Sequence, residues 1–378
     1  MAHANVLGLT ISQFVDMVGL ELKLPMKKRR TIFGIGQFGI GKTVALANLA
    51  KELGIGFIDL RLSNYTETDL KGIPTPDKDG ATANWLTTGT LPNEQKHGKE
   101  GILLLDEITG ASRATRLAVY QLIEKGQLEN YTLPEGWYIV ACGNHEEDMV
   151  EVYNALSMPL KNRGFCYNLV SDVNSFKNWG RLNGVHPMVL AYVSWSPDSL
   201  HDIPEDAEDV ARSPRAWETI SDTLLLSENG TVSKDLMYNR IAGAIGVEET
   251  NRFFAFCNFK DSIPDIDDLL AGKINPEIKQ SEIMHLTIQS GINRLVSDAE
   301  KEFVGDMLRP SEPLITKFAH FCNWLLNIRE LETKSMGIND LKSCMKISVI
   351  TSIMMNVKFN ALCPTWAKFA QDNVSLFV

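Results

Sequence analysis

The stretch that decides the fold reads Gly36-Gln37-Phe38-Gly39-Ile40-Gly41-Lys42-Thr43. It fits the pattern G-x-x-x-x-G-K-[ST] and is followed by a helical stretch from Val44 to Leu53. Glycines let backbone N–H groups close around an anion, and the N-terminus of the following helix adds the positive end of its dipole. The lysine would reach the β- and γ-phosphates of a nucleotide, and the threonine hydroxyl would bind Mg²⁺.

This motif predicts a site for ATP and Mg²⁺. A short apolar run precedes the motif and a helical stretch follows it, which is the strand–loop–helix context that such a loop requires. The residues assigned to the nucleotide are Gly36, Gln37, Phe38, Gly39, Ile40, Gly41, Lys42, Thr43 and Val44.

A second motif supplies candidate metal-binding and catalytic carboxylates. The apolar run Leu103-Leu104-Leu105 is followed directly by Asp106 and Glu107. An apolar strand that carries a carboxylate at its C-terminal end, beside a phosphate loop, can complete a Mg²⁺ site. We assign Asp106 to Mg²⁺ together with Thr43, and Glu107 to the attacking water as its general base. The second carboxylate favours a hydrolase over a simple P-loop kinase.

Composition and periodicity change near residue 170. Before this point, short β-rich runs alternate with helical stretches, which is the pattern of a parallel α/β sheet covered on both faces. After it the strands largely stop, and apolar residues recur at helical spacing, including helices from Leu314 to Leu326 and from Leu341 to Val357. The predicted strands are Arg30 to Gly34, Ile55 to Leu60, Gly101 to Leu105, Trp137 to Cys142 and Phe165 to Val170.

The charge balance bears on the choice of partner. The 378 residues include 37 basic and 47 acidic side chains, which gives a formal net charge of −10. Proteins that grip phosphate backbones non-specifically usually carry the opposite sign, so nucleic acid is possible as a partner but not favoured. No stretch approaches the roughly 20 apolar residues that span a bilayer. The scattered cysteines and the start of the sequence, which lacks a signal-peptide pattern, favour a cytoplasmic protein.

The sequence around both motifs resembles the AAA+ ATPases, specifically the MoxR-like group of dynein-related P-loop ATPases. Asp69-Leu70-Lys71-Gly72-Ile73-Pro74 resembles the insert that follows the second strand of that group, and the stretch from Leu103 to Asn144 follows the group's pattern along its length. The resemblance runs from the phosphate loop to about residue 220.

The resemblance implies a P-loop AAA+ core, α/β in class, with a parallel sheet covered by helices. An all-α lid and a C-terminal helical extension would follow. We place the nucleotide-binding core at residues 1–172, the helical linker and lid at 173–260, and the extension at 261–378.

The resemblance also implies roles for three further residues. Asn144 resembles the sensor-1 residue, which orients water against the γ-phosphate. Arg163 resembles the arginine finger that a neighbouring subunit donates, and Arg215 resembles the sensor-2 arginine at the start of a lid helix. With Lys42 and Glu107, they form the expected catalytic set.

The leading hypothesis is a ring-forming ATPase, a hexamer by resemblance, that remodels or activates a protein client. The resemblance further implies an adaptor with a von Willebrand factor A domain. One alternative is a motor subunit of a DNA-processing complex of restriction or phage type. The other is a nucleotide-gated scaffold with negligible turnover, which the Asp106-Glu107 pair argues against.

Overall fold

The chain divides between Asp172 and Val173 into two compact units. The structure is a computed structural model, and each unit is described by itself. Both sequence motifs lie in the first unit, and Arg215 lies in the second. The structure describes residues 7–78, 80, 82–145, 156, 161–204, 209–228, 230, 232–302, 310–344 and 347–372.

The first unit is built on a six-stranded sheet whose neighbouring strands all run parallel. The strand order is β1-β10-β2-β9-β6-β3, and two short antiparallel hairpins, β4–β5 and β7–β8, lie outside it. The strands are β1 Gly8–Thr10, β2 Thr31–Gly36, β3 Gly56–Arg61, β4 Ile73–Pro76, β5 Ala83–Leu86, β6 Glu100–Asp106, β7 Gln127–Leu128, β8 Tyr131–Thr132, β9 Gly136–Gly143 and β10 Gly164–Val170.

Helices cover both faces of this sheet. Because side chains alternate along a strand, Ile102 and Leu104 of β6 pack with Leu46 on one face. Leu103 and Leu105 pack in a separate cluster on the other face. This explains why the central strands are apolar at nearly every position. Among the described residues of this unit, the α-helices are α1 Ile11–Leu22, α2 Lys42–Leu53, α3 Glu67–Lys71, α4 Glu94–His97 and α5 Arg113–Lys125.

The five strands predicted from sequence are confirmed, with ends that differ by at most two residues. The sixth strand, β1, was not predicted. It has three residues and runs directly into α1, whose first turn is closed by a capping box between Thr10 and Gln13. A strand this short has no alternating pattern to reveal it, and the capping residues indicate a helix start instead.

The regular secondary structure in the described part of the second unit is helical apart from one isolated β-bridge, between Asp202 and Arg212. Two short helices, Val173–Leu182 and Pro187–Trp195, are separated at Gly184, and the helix expected to start near Arg215 begins at Pro214. The helices are α6 Val173–Leu182, α7 Pro187–Trp195, α8 Pro214–Glu228, α9 Lys234–Ile245, α10 Val247–Cys257, α11 Ile266–Leu270, α12 Ser281–Glu302, α13 Glu312–Leu326, α14 Leu331–Ser343, α15 Ile347–Met354, α16 Val357–Leu362 and α17 Pro364–Asp372.

The predicted single helix from Leu341 to Val357 is wrong. Helix α14 ends at Ser343, α15 ends at Met354, and α16 begins at Val357. The Asn356 side chain accepts a hydrogen bond from the Lys358 N–H and so caps a new helix. Apolar spacing continues across this cap, which is why periodicity alone could not locate the break.

Two apolar clusters form the core of the second unit. One contains Trp217 and helices α6 to α10, and the other contains Phe318 and helices from α11 onward. Helix α12 contributes Leu286 to the first cluster and Ile288 to the second. The division of this unit at residue 260 therefore stays a prediction. None of the helices in the described part of the chain is both long and apolar enough to cross a membrane.

A buried group of charges fastens α6 to α12 and α14. The Lys177 ammonium lies 2.8 Å from Asp340 Oδ1, and the Arg181 guanidinium lies 3.2 Å from Asp340 Oδ2. Arg181 also donates a 2.8 Å hydrogen bond to Gln289 Oε1. Side chains of this kind are rarely buried without partners, because removing their charges from water is costly. Their pairing therefore fixes the register of these three helices.

His285 gives the second unit a testable sensitivity to acid. Burial, with Lys177 nearby, lowers the pKa of His285 from 6.5 to about 4. Between pH 6.5 and about pH 4, His285 is therefore protonated in the unfolded chain but neutral in the folded chain. The free energy of unfolding falls as the pH drops through this range. We expect this group to contribute a loss of about 2 kcal/mol between pH 7 and pH 5. Urea unfolding of wild type and His285→Gln at both pH values measures it, and an equal loss in the two proteins would contradict it.

Candidate phosphate-binding and catalytic site

The phosphate loop connects the end of β2 to the start of α2. Gly39 and Gly41 have φ angles of 68° and 92°, in the left-handed region that favours glycine. Gly41 is the N-terminal cap of α2, so the free N–H groups of that helix open onto the loop. Gly36 is required for a different reason, because a Cβ there would collide with the Leu169 carbonyl oxygen of β10.

The Lys42 side chain links the loop to the neighbouring strand β9. Only 7% of Lys42 is exposed, and its ammonium donates hydrogen bonds to the carbonyl oxygens of Gly36 at 2.9 Å and Gln37 at 2.8 Å. It also donates a 2.9 Å hydrogen bond to Oδ1 of Asn144, which follows β9. The structure therefore brings the predicted lysine, loop and sensor residue together.

The two predicted metal ligands are also in contact. Thr43 Oγ1 donates a 2.8 Å hydrogen bond to Asp106 Oδ2, and Asp106 Oδ1 accepts one of 2.9 Å from the Glu107 N–H. Hydroxyl and carboxylate oxygens are the ligands that Mg²⁺ prefers, and Mg²⁺ usually takes one or two protein carboxylates together with substrate phosphates. The residues present therefore fit a magnesium ion bound with a nucleotide.

Glu107 has an uncommon backbone conformation. Its φ angle is 56°, which a residue with a Cβ adopts only when its surroundings require it. The Ser63 hydroxyl donates a hydrogen bond to Glu107 Oε2, and the next residue, Ile108, donates its N–H to the Cys142 carbonyl at 3.0 Å. The carboxylate of the predicted general base is thus held at the edge of the sheet where β6 ends.

Three residues of this site were missed by the sequence analysis. Ser63 holds Glu107, and the Thr109 hydroxyl accepts from the Asn144 N–H at 3.1 Å and donates to the Asn144 carbonyl at 3.2 Å. Asp59 of β3 has its pKa raised, chiefly by burial and then by the charge of Asp106. Nothing local in the sequence distinguishes these residues, because their contacts exist only once β3, β6 and β9 are neighbours.

The two predicted arginines take no part in the hydrogen bonds described above. Arg163 lies just before β10, at the amino ends of the strands, whereas the loop, Asp106 and Asn144 lie at the carboxyl ends. Its side chain is 45% exposed and forms a 2.8 Å ion pair with Glu124. Part of the motif that precedes Arg163, residues 158–160, lies outside the described residues. Arg215 is exposed at the start of α8 in the second unit. The roles of both arginines stay predictions.

No protein-family model and no curated protein matches the chain. Several solved structures are remotely similar to this chain. A presumed ATPase from Cytophaga hutchinsonii is 13% identical, with a TM-score of 0.33, and the match covers 61% of this chain and 80% of that one. A variant of RuvB from Thermotoga maritima is 15% identical, with a TM-score of 0.36 and coverages of 74% and 81%. NtrX from Brucella abortus with ADP is 13% identical, with a TM-score of 0.37 and coverages of 97% and 68%. Values this low do not show a family, so the fold rests on the sheet itself.

The close approach of Gly36 to β10 predicts a cost for any side chain there. We expect Gly36→Ala to lower the free energy of unfolding by roughly 1–3 kcal/mol, because the obstructing atom is a backbone oxygen that cannot rotate away. Gly19→Ala is the matched control: it lies within α1 with nothing within 4 Å of the new methyl, so it should stabilise by about 0.5–1 kcal/mol. Urea unfolding measures both. Equal stability of Gly36→Ala and wild type would show that the contact is not rigid.

Proposed function

We propose that this chain is an Mg²⁺-dependent ATP hydrolase of the AAA+ superfamily. One observation carries the proposal: at the carboxyl edge of one parallel sheet, consecutive residues make two hydrogen bonds, from Lys42 to Asn144 at 2.9 Å and from Thr43 to Asp106 at 2.8 Å. Glu107 lies next to them in the chain. This is the set of groups that phosphoryl transfer to water requires, namely an anion cradle, a cation, metal ligands and a base.

The chemistry follows from these groups. Backbone N–H groups at the start of α2 would bind the phosphates, and the Lys42 ammonium would exchange the carbonyls of Gly36 and Gln37 for phosphate oxygens. Bound Mg²⁺, held by Thr43 and Asp106, would offset negative charge on the β- and γ-phosphates.

Glu107 and Asn144 would act on the attacking water. The Glu107 carboxylate, released from Ser63, would accept a proton from the water as it attacks the γ-phosphate. The Asn144 amide, released from Lys42 but still held through its backbone by Thr109, would orient that water. The Thr109 hydroxyl holds the Asn144 backbone from both sides, and this supports the role because a water is oriented well only by a group in a fixed position.

Arg163 and Arg215 would complete the site from outside. Arg163 lies at the opposite edge of the sheet from the phosphate loop, which suits donation to a neighbouring copy rather than to its own nucleotide. Head-to-tail contacts of this kind form a ring when the rotation between successive copies closes. We propose a MoxR-type ring, a hexamer that reshapes a protein client with a von Willebrand factor A domain adaptor. Arg215 would fold the lid onto the nucleotide.

Two substitutions separate binding from hydrolysis. Lys42→Ala removes the ammonium and should abolish ATP binding, whereas Glu107→Gln keeps the cradle and should bind ATP but lower turnover by at least about a hundredfold. Calorimetry measures binding, and phosphate release measures turnover. Equal turnover by Glu107→Gln and wild type would contradict the assignment. Glu107→Gln protein held in ATP should also retain its engaged partners in a pull-down.

Donation of Arg163 between copies predicts recovery on mixing. Arg163→Ala and Lys42→Ala proteins should each be inactive, yet a mixture should regain part of the wild-type turnover, because Lys42→Ala copies donate Arg163 to intact nucleotide sites. As a control, mixing Arg163→Ala with a Lys42→Ala/Arg163→Ala double variant should restore nothing. Turnover per chain that is independent of protein concentration, without recovery on mixing, would argue against a shared site.

A further inference from the structure

A buried carboxylate in the second unit gathers three partners from different parts of the chain. Glu249 of α10 is 2% exposed. Its carboxylate accepts hydrogen bonds from the Tyr192 hydroxyl at 2.5 Å and from Arg252 at 3.2 Å, and it lies 3.5 Å from the Arg212 guanidinium. A charge this deeply buried is tolerated only when such partners compensate it.

Among these partners, Arg212 lies closest in sequence to the start of helix α8, which begins at Pro214. Its guanidinium lies between two carboxylates, because Asp202 accepts a 2.5 Å hydrogen bond from it on the side away from Glu249. The backbones of Arg212 and Asp202 also exchange two hydrogen bonds, of 2.8 and 3.1 Å. Backbone and side chain of Arg212 are therefore both fixed shortly before Pro214, where α8 begins.

The first turn of α8 is anchored on its other side by Trp217. This side chain is fully buried, and its indole N–H donates a 2.8 Å hydrogen bond to the Ser199 carbonyl. The Ser213 carbonyl accepts the N–H groups of Ala216 and Trp217 and so closes the turn. Arg215 lies between these two anchors and is exposed. Burial and then the charge of Asp222 raise the pKa of Glu218, and the Arg215 charge opposes that rise.

We propose that Arg212, clamped between Glu249 and Asp202, is the positioning residue for Arg215. Arg212 contacts no nucleotide in this proposal: the clamp fixes where α8 begins and therefore where the Arg215 guanidinium is presented. The inference rests on the role given to Arg215 in the proposed function. In this proposal, the buried Tyr192–Glu249–Arg212 network holds the start of helix α8 in the position from which Arg215 would contact nucleotide.

The test compares two arginines that touch the same carboxylate. Arg212→Gln should weaken binding of the non-hydrolysable analogue AMP-PNP with Mg²⁺ by roughly tenfold, since Arg215 loses its fixed position. Arg252→Gln is the matched control, because Arg252 is half exposed, lies on the same helix as Glu249, and does not lead into α8. Its affinity should change less than about twofold. Equal loss in both variants, or no loss in Arg212→Gln, would overturn the proposal.

A double-mutant cycle then separates positioning from general damage to the fold. If Arg212 acts only through Arg215, Arg212→Gln should cause no further loss of AMP-PNP affinity in an Arg215→Ala background. Additive losses would assign Arg212 a merely structural effect and overturn the proposal. If Arg212→Gln does not fold, Asp202→Asn, which loosens the clamp at a half-exposed side chain, replaces it in the same cycle.

The Arg215→Ala variant alone separates failure of the proposed role of Arg215 from failure of the positioning inference. If it leaves AMP-PNP affinity unchanged, the role of Arg215 in the proposed function fails, and the positioning inference fails with it. If Arg215→Ala weakens binding while Arg212→Gln does not, only the positioning inference fails. Weakening by both, without additivity, supports the inference.

Discussion

The candidate site depends on one constraint: all strands of a parallel sheet end at the same edge. Strand β9 lies between β2 and β6, so the residue that follows it, Asn144, lies between the loop after β2 and the carboxylates after β6. Lys42 can then reach Asn144 while Thr43 reaches Asp106. No single strand could assemble these groups, and a sheet with any of the three reversed would separate them.

The sequence predicted what is encoded locally and missed what depends on strand order. The loop glycines, the lysine and the Asp-Glu pair follow from backbone and phosphate chemistry, and five apolar runs predicted five strands. By contrast, the Thr109–Asn144 and Ser63–Glu107 contacts join residues 35 and 44 positions apart. The three-residue strand β1 and the cap at Asn356 interrupt patterns that periodicity averages over a longer window.

In the helical second unit, too, the sequence pattern did not predict contacts between residues that are distant in the chain. Apolar spacing predicts its helices, but the partners that fix their arrangement are charged and distant in sequence. Lys177 and Asp340 are 163 residues apart, and Tyr192 and Glu249 are 57 apart. Each pairing compensates a charge that burial would otherwise make unfavourable, so a packing of the helices that separated these partners would be costly.

The hydrogen-bond acceptors of Lys42 bear on which ligands the loop would bind. The ammonium donates to the carbonyl oxygens of Gly36 and Gln37 and to the Asn144 amide oxygen. An anion that binds Lys42 would therefore have to replace these hydrogen bonds. A small anion with few oxygens within reach would gain little free energy by the exchange. A polyphosphate can replace the acceptors and occupy the helix N-terminus at once. Under the proposed function, these acceptors would therefore favour a polyphosphate over a small anion.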